Sequence, residues 1–339
     1  MSLMLSEAME IPTVVEAVLS RDDPVYADLA GRLRAEPPPF IALVGRGSSG
    51  HAANYVGSLI GVFTGRLAAD VPPSLATLYD APIVAAGALA LAVSQSGKSP
   101  DLIALTERIK AGGAHTLAIL NVTDSPLGHV ADDVLPQHAG EERAVAATKS
   151  FVASLVAGAR LVAEWTRDPA LGRALERLPA TLARAVACDW SAAVEALRRS
   201  DRMLVVGRGL GLGVTGEAAL KLKETCALQA EAFSGAEVMH GPKALVETGY
   251  AVLGLVTAGP TARNTIDALE DLAAAGATVL QAGGPAGAGI ALPLPEPLHP
   301  ALDPIVQISA FYPMVARLSE ARGLSPDSPR NLKKVTETM

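Results

Sequence analysis

Cysteine, aromatic residues and positive charge are scarce in this sequence of 339 residues. Its two cysteines, Cys188 and Cys226, are too few for a disulfide framework or a four-ligand zinc site, and they fit a reducing compartment. Aromatic residues make up 4% of the chain and the formal net charge is −7. A basic, aromatic-lined surface for nucleic acid is therefore not expected.

Long apolar runs are also missing. The most apolar segment, residues 81–94, is shorter than the ~20 residues that a membrane helix needs. The first ten residues carry Glu7 and Glu10 and no basic region, unlike a secretory signal. We therefore expect a cytoplasmic protein that has neither a membrane nor a nucleic acid as partner.

What the sequence does contain is aliphatic. Half of it is hydrophobic, mostly Ala, Val and Leu, with 31 glycines and 24 prolines. This composition excludes a disordered chain. At ~150 residues per domain, the length suggests two domains, each with its own core.

Short apolar runs alternate with glycine turns and helical stretches. Phe40–Val44 is followed by the turn Gly45–Gly50 and an Ala-rich stretch to Leu67 that is typical of a helix. Further strands are predicted at residues 88–93, 115–121 and 132–135, and helices at 101–111 and 144–167. Apolar strands without alternation are typical of a parallel sheet covered on both faces, so the pattern predicts a doubly wound α/β domain.

The pattern returns 162 residues later, where Met203–Gly209 repeats Ile41–Gly47. Strands are then predicted at 250–256, 277–282 and 290–294, and helices at 213–229, 261–275 and 305–322. A period of this length indicates a duplicated domain. We predict an N-terminal helical segment (1–39), a first domain (40–168), a helical linker (169–200), a second domain (201–324) and a C-terminal tail (325–339).

Two turns carry candidate binding residues. The glycines of Gly45–Gly50 fit a dinucleotide fingerprint, with Asp70 at the spacing of a ribose-binding acid, but Ser48 and Ser49 add hydroxyls that such a turn does not need. The turn Ser94–Ser99 offers three hydroxyls and an amide before a helix, which favours a phosphate cradle. The alternative is an ordinary turn in which Ser99 is the N-cap before Pro100.

Two segments of the second half carry candidate acid–base groups. Glu217, Lys221 and Glu224 lie on one helix face, which on composition alone favours a solvated ion-pair stripe. His240 lies in the rigid loop His240–Pro242, where a placed acid–base group is more expected than in a regular element.

Five short motifs occur in the order in which one known family has them. They are Ser94–Gly97, Ala146–Lys149, Glu217–Glu224, His240–Pro242 and Pro329–Leu332. In these motifs the chain resembles, over nearly its whole length, the sugar isomerase (SIS) domain pair of glucosamine-6-phosphate synthase. The resemblance implies two tandem SIS domains, each a parallel five-stranded sheet in a flavodoxin-like or Rossmann-like three-layer sandwich, and a homodimer.

The resemblance also implies roles. Glu224 matches the base that moves a proton between C1 and C2, and His240 matches the ring-opening histidine that comes from the neighbouring subunit. Lys334 matches a lysine that forms a Schiff base with the open-chain ketose, and Lys221 a lysine beside the open-chain hydroxyls. The remaining matches bind the sugar phosphate: Ser48, Ser49, Ser94, Gln95, Ser96, Ser99 and Ala146.

Four positions depart from the family pattern. Arg46 replaces a cysteine, Lys98 a glutamate, Ala147 a serine, and Lys333 a small residue beside Lys334. Because 39 residues precede Phe40 and none is cysteine, we also expect no glutaminase domain.

The predicted function is that of a phosphosugar deaminase/isomerase that converts glucosamine 6-phosphate into fructose 6-phosphate and ammonia, without metal or redox cofactor. Alternatives are an enzyme of this type acting on another amino-sugar or sugar–amino acid phosphate, and a non-catalytic sugar-phosphate sensor. A nicotinamide-dependent oxidoreductase is the third class that the glycine turn leaves open.

Overall fold

The structure is a computed structural model that describes residues 1–21, 23–287, 289–332 and 334. Lys333 and residues 335–339 of the predicted tail lie outside the described part. The helices are α1 (Leu3–Met9), α2 (Ile11–Ser20), α3 (Pro24–Ala35), α4 (Ser48–Thr64), α5 (Ser74–Thr77), α6 (Pro100–Ala111), α7 (Pro126–Val130), α8 (Lys149–Thr166), α9 (Pro169–Ala185), α10 (Ser191–Leu197), α11 (Leu212–Cys226), α12 (Ala262–Ala274) and α13 (Asp303–Ala321). The strands are β1 (Phe40–Val44), β2 (Leu67–Asp70), β3 (Leu89–Ser94), β4 (His115–Leu120), β5 (Asp133–Pro136), β6 (Arg202–Gly207), β7 (Gln229–Ser234), β8 (Ala251–Leu255), β9 (Thr278–Ala282) and β10 (Ile290–Leu292).

The chain forms two compact units, each with one sheet. The unit that we call the first-sheet unit comprises residues 13–142 and 150–176 among those described, and the second-sheet unit comprises residues 1–12, 143–149 and 177–334. The predicted domain boundaries remain a prediction.

Both sheets have five parallel strands in the same spatial order. The first sheet runs β2-β1-β3-β4-β5, and the second, read from its other edge, runs β7-β6-β8-β9-β10. The predicted α/β class with two parallel sheets flanked by helices is thereby confirmed, while the flavodoxin-like detail stays a prediction. Every residue of the central strands β3 and β8 is buried, as their unbroken apolar sequences predict.

The edge strands β2 and β7 are not among the strands that the patterns predicted. The helix predicted through Leu67 ends at Thr64, with Gly65 in the left-handed conformation (φ 71°), and β2 follows. The helix predicted through Gln229 ends at Cys226, with Ala227 left-handed (φ 49°), and β7 begins at Gln229. Both strands are partly exposed and rich in alanine, so neither shows the apolar signal of a buried strand.

The order of the first sheet places two turns side by side. From β1 the chain moves outward to β2 and then returns to β3 on the other side of β1. The carboxyl ends of β1 and β3 therefore flank a topological switch point, where open α/β sheets bind ligands. The serine-containing turns Gly45–Gly50 and Ser94–Ser99 follow these two strands.

Candidate active site

The first-sheet unit brings the predicted serines together at this switch point. Ser48 and Ser49 form the first turn of α4, directly after Gly47 with its positive φ of 53°. Ser94 ends β3, and Gln95 and Ser96 follow it in half-buried positions. Since β1 and β3 are hydrogen-bonded neighbours, all these side chains lie at one edge of one sheet. This edge can present hydroxyls and helix amino termini to a phosphate group.

The loop after β3 is held in a fixed turn by its own serines. Ser94 Oγ accepts from the Gly97 amide (3.1 Å), and Ser96 Oγ accepts from the Lys98 amide (3.3 Å). Gly97 has a φ of 63°, and a Cβ there would lie 2.1 Å from Ser125 Oγ. A larger residue at Gly97 would therefore displace the loop.

Ser99 occupies the N-cap position of α6 before Pro100, as the alternative for this turn predicted. Its side chain makes no capping hydrogen bond, however. The Ser99 hydroxyl is therefore not used to cap α6 and is available to contact a ligand.

Arg46 links the two serine turns. Its guanidinium contacts both carboxylate oxygens of Asp101, with Nε 2.9 Å from Oδ2 and one terminal nitrogen 3.2 Å from Oδ1. Asp101 is 4% exposed and lies in the first turn of α6. A bidentate pair of this kind fixes geometry as well as charge. The sequence marked Arg46 as a departure from the family, but its partner lies 55 positions away and shows no local signal.

In the second-sheet unit, α11 carries a buried charged cluster. Lys221 is 1% exposed and its Nζ lies 2.5 Å from Glu224 Oε2 and 3.5 Å from Glu217 Oε1. Glu217 is fully buried and accepts a hydrogen bond from the Tyr312 hydroxyl (3.1 Å). The interpretation as a solvated stripe is therefore wrong for Glu217 and Lys221, because α13 packs over this face of the helix. The i, i+4, i+7 spacing cannot by itself distinguish a buried charged face from an exposed one.

The cluster keeps Lys221 charged. Burial alone lowers the pKa of Lys221, but the carboxylates of Glu217 and Glu224 outweigh it and raise the pKa above its ordinary value. Lys221 is therefore a fixed cation and is suited to stabilising negative charge. It is not suited to acting as an amine nucleophile, which must be unprotonated. Glu224 is partly exposed, unlike its two neighbours, and can reach a ligand.

The segment 143–149, which carries Ala146, is bound to the amino-terminal helix α1. Glu7 is 4% exposed, and its carboxylate accepts from the amides of Arg143 (2.5 Å) and Ala144 (3.2 Å). Lys149 forms an ion pair with Glu10 at 2.7 Å. Residues 144–148 are thus an irregular segment, whereas the sequence predicted a helix from residue 144 onward; the helix α8 begins at Lys149. The Glu7 contacts hold the two amides outside any helix.

The tail that carries Lys334 reaches the same segment. Lys334 Nζ donates to the Ala144 carbonyl at 2.6 Å. Asp327 accepts from the amides of Leu3 (2.9 Å) and Met4 (2.8 Å), and its carbonyl accepts from the Val145 amide. We call α1, segment 143–149 and the tail residues Asp327–Leu332 and Lys334 the terminal clamp. No local pattern in the sequence announced it, since its members lie far apart in the chain.

His240 is the candidate that the structure leaves most open to solvent. It follows a 3-10 turn, Glu237–Met239, and its side chain is exposed. Within the described part of the chain, its ring has no hydrogen-bond partner. The structure therefore joins Lys221 to Glu224 and Lys334 to the Ala146 segment, but it does not join His240 to either.

No group of three or more His, Cys, Asp or Glu side chains among the described residues could hold a metal ion. Over the same residues, no helix is both long and apolar enough to span a bilayer.

Comparison with known proteins gives the family. A family model described as "SIS domain" matches residues 39–163. A protein of Silicibacter pomeroyi DSS-3, solved as a candidate phosphosugar isomerase, shares 40% sequence identity with a TM-score of 0.92, over 96% of this chain and 100% of that one. The chain belongs to the SIS-domain family.

This SIS protein is also similar to part of an aminotransferase. Glutamine–fructose-6-phosphate aminotransferase of Aeropyrum pernix is 33% identical over 98% of this chain but 56% of its own length. The C-terminal domain of the corresponding Francisella tularensis enzyme has a TM-score of 0.87 at 25% identity, covering 96% of this chain and 98% of that domain. The chain thus spans somewhat more than half the length of the curated relatives that it matches.

Proposed function

We propose that this SIS protein is a phosphosugar isomerase that acts as a deaminase, converting glucosamine 6-phosphate and water into fructose 6-phosphate and ammonia. The observation that carries the proposal is the cluster on α11, in which the buried ammonium of Lys221 lies 2.5 Å from the partly exposed carboxylate of Glu224. Aldose–ketose exchange needs a carboxylate that can take a proton from one carbon and return it to the next, and a cation for the oxygen that becomes negative. The similarity to phosphosugar isomerases and to the aminotransferase supports the substrate class.

The reaction divides among the candidate residues. His240 would open the sugar ring by proton transfer at the ring oxygen. Glu224 would take the proton from C2 of the open aldose and deliver it to C1, while Lys221 stabilises the negative charge that develops on the C1 oxygen. The nitrogen gives up one proton and the C1 oxygen takes one, which leaves a C2 imine and a C1 hydroxyl. Water then adds to C2 and ammonia leaves, which gives the ketose.

Lys334 would bind the ketose product. In the structure its Nζ donates to the Ala144 carbonyl at 2.6 Å. To form a Schiff base with the C2 carbonyl, Lys334 must give up that contact and a proton, and water leaves as the bond forms. Ala146, two residues along, would offer backbone groups to the sugar.

The phosphate group would be bound in the first-sheet unit, by Ser48, Ser49, Ser94, Gln95, Ser96 and Ser99. The helix amino termini of α4 and α6 add favourable electrostatics there. Arg46 keeps the two turns in register through Asp101, so we assign it a positioning role.

A direct assay tests the proposal. Purified protein is incubated with glucosamine 6-phosphate, and both ammonia and fructose 6-phosphate are quantified. We expect equal amounts of the two products, and at least a hundredfold loss of rate in Glu224→Gln. Glu231→Gln, an exposed glutamate on the neighbouring strand β7, is the matched control and should keep the wild-type rate.

Other outcomes identify the alternatives. Interconversion of glucose 6-phosphate and fructose 6-phosphate without any ammonia from the amino sugar would indicate a plain isomerase. Binding of sugar phosphate with no turnover of any amino-sugar or sugar–amino acid phosphate would contradict catalysis and favour a sensor.

A further inference from the structure

The second sheet has a cavity of its own at its carboxyl edge. It has a volume of about 290 Å³ and lies where β8, β9 and β10 end. Apolar side chains such as Val256, Leu292 and Val306 form much of its wall. Its size is at the lower end of the ~300–1,000 Å³ of small-molecule sites, which suits a molecule of monosaccharide size.

Gln307 lines the cavity, and in the described part of the chain only the nitrogen of its side-chain amide is hydrogen-bonded. It is 1% exposed, and its Nε2 donates to the carbonyls of Val256 (2.8 Å) and Ala282 (3.4 Å). These two bonds direct Nε2 toward the ends of β8 and β9. Within the described residues, Gln307 Oε1 is buried and has no hydrogen-bond partner. A buried acceptor of this kind costs free energy unless a donor reaches it.

The first sheet has a glutamine in the corresponding position. There, Gln137 donates in the same way to the carbonyls of Ser94 and Ile119, at the ends of β3 and β4. Ser94 begins the serine loop. In both sheets, therefore, a buried amide crosses the ends of the third and fourth strands directly beside a ligand-sized opening or loop.

Asp303 supplies the charge of the second-sheet cavity. It begins α13, one helical turn before Gln307, and its Oδ2 accepts from the Ala258 amide at 2.9 Å. It is 9% exposed, and no described lysine or arginine lies within ion-pair distance of it. Burial raises the pKa of Asp303, while the Ala258 amide and the nearby His299 act in the opposite direction. A buried carboxylate is normally compensated by a positive partner.

The remaining polar lining also selects against anions. Glu296 is exposed at the cavity, and its charge adds to that of Asp303. Unlike the first-sheet turns, the described lining of this cavity contains no serine. The two carboxylates, Asp303 and Glu296, are hydrogen-bond acceptors, so the matching ligand carries hydrogen-bond donors and a positive charge.

We infer that the second-sheet cavity is a binding site for a small, unphosphorylated, amine-bearing molecule of monosaccharide size, whose ammonium group is held by Asp303. This site is separate from the proposed reaction and does not depend on it. It would let the protein respond to an amine without engaging the serine turns.

The test uses glucosamine as the probe and glucose as its uncharged counterpart. The full chain is labelled at valine and leucine methyl groups and titrated at mildly acidic pH, where the amine is protonated. We expect glucosamine to shift the methyl signals of Val256, Leu292 and Val306, and to bind at least about tenfold more tightly than glucose. Signals of Val44 and Val93, which lie near the ends of β1 and β3, should stay in place.

Asp303→Asn separates charge from structure, because the amide oxygen can still accept from the Ala258 amide. We expect it to weaken glucosamine binding about tenfold, whereas Glu320→Gln, an exposed change on the same helix, should leave it unchanged. Equal affinity for glucose and glucosamine, or shifts confined to Val44 and Val93, would overturn the inference. If Asp303→Asn does not fold, the comparison of the two sugars on the wild-type protein decides alone.

Discussion

Lys221 shows most clearly what a single side chain does in this protein. Its ammonium is buried between two carboxylates. Glu217 is fully buried, so water does not screen its charge. Removing one member of such a cluster leaves an uncompensated buried charge, which costs more than the intact cluster contributes.

We therefore expect Lys221→Met to lower the free energy of unfolding by about 3–5 kcal/mol, measured by urea denaturation. Lys223→Met, an exposed position on the same helix, should change it by less than about 0.5 kcal/mol. The double variant Glu217→Gln/Lys221→Met should recover a large part of the loss, because the buried carboxylate is gone. A single variant as stable as the wild type would show that water reaches Glu217.

The terminal clamp is the feature that matters at the scale of elements. The Glu7 carboxylate accepts a hydrogen bond from the Ala144 amide, and the Ala144 carbonyl accepts one from the Lys334 ammonium. The position of Lys334 thus depends on a side chain of α1.

If Lys334 forms a Schiff base as proposed, Glu7→Gln should slow its formation about tenfold, because a hydrogen bond to a charged group is worth about 1.5–3 kcal/mol. The measurement is borohydride trapping of fructose 6-phosphate on Lys334, followed by mass spectrometry. Glu16→Gln, an exposed glutamate on α2, serves as the control. Unchanged trapping in Glu7→Gln would show that the clamp does not position the lysine.

Elements also show where sequence patterns succeed and where they stop. The central strands β3 and β8 were predicted almost to the residue, because burial on both faces requires an unbroken apolar run. The edge strand β2 was not, since Leu67–Asp70 pairs on one side only and its exposed residues leave no such run. The serine turns were predictable from local residues, whereas the Arg46–Asp101 pair and the clamp join residues that only the folded chain brings together.

For the whole molecule, stability should fall at alkaline pH. Burial raises the pKa of the Cys226 thiol to about 11, from an ordinary 9.0. Between these values the folded state keeps the proton that the unfolded chain loses, so stability decreases as the pH rises. The raised pKa of Lys221 acts in the same direction, since its contribution is complete below its ordinary 10.5 and is lost only as the pH passes the folded value.

We expect the free energy of unfolding to drop by about 2 kcal/mol between pH 9 and pH 11 on account of Cys226 alone. Urea denaturation at the two pH values measures the drop. Cys226→Ala should remove most of it, although that variant starts from a lower stability because it leaves a small cavity. The same pH dependence in both proteins would assign the effect to other groups.

The homodimer that the family resemblance implies can be tested through His240, whose side chain is exposed in the structure. His240→Ala and Glu224→Gln are each expected to be inactive alone. If His240 acts across the interface, random mixing of the two should restore about a quarter of the wild-type activity, because half of the dimers are mixed and each has one intact site. Size-exclusion chromatography checks the dimer itself, and no recovery in a stable mixed dimer would place His240 in its own subunit's site.

The contact between Asp327 and the start of α1 has a consequence for biosynthesis. The Met4 amide and the carboxylate that binds it are 323 positions apart. At ~5–20 residues per second, the ribosome adds the second partner roughly 15–65 s after the first. A helix of seven residues is not stable by itself, so α1 cannot complete its native contacts before that interval ends. The terminal clamp, including the contact of Lys334 with the Ala144 carbonyl, is therefore among the last parts of the newly made protein to become native.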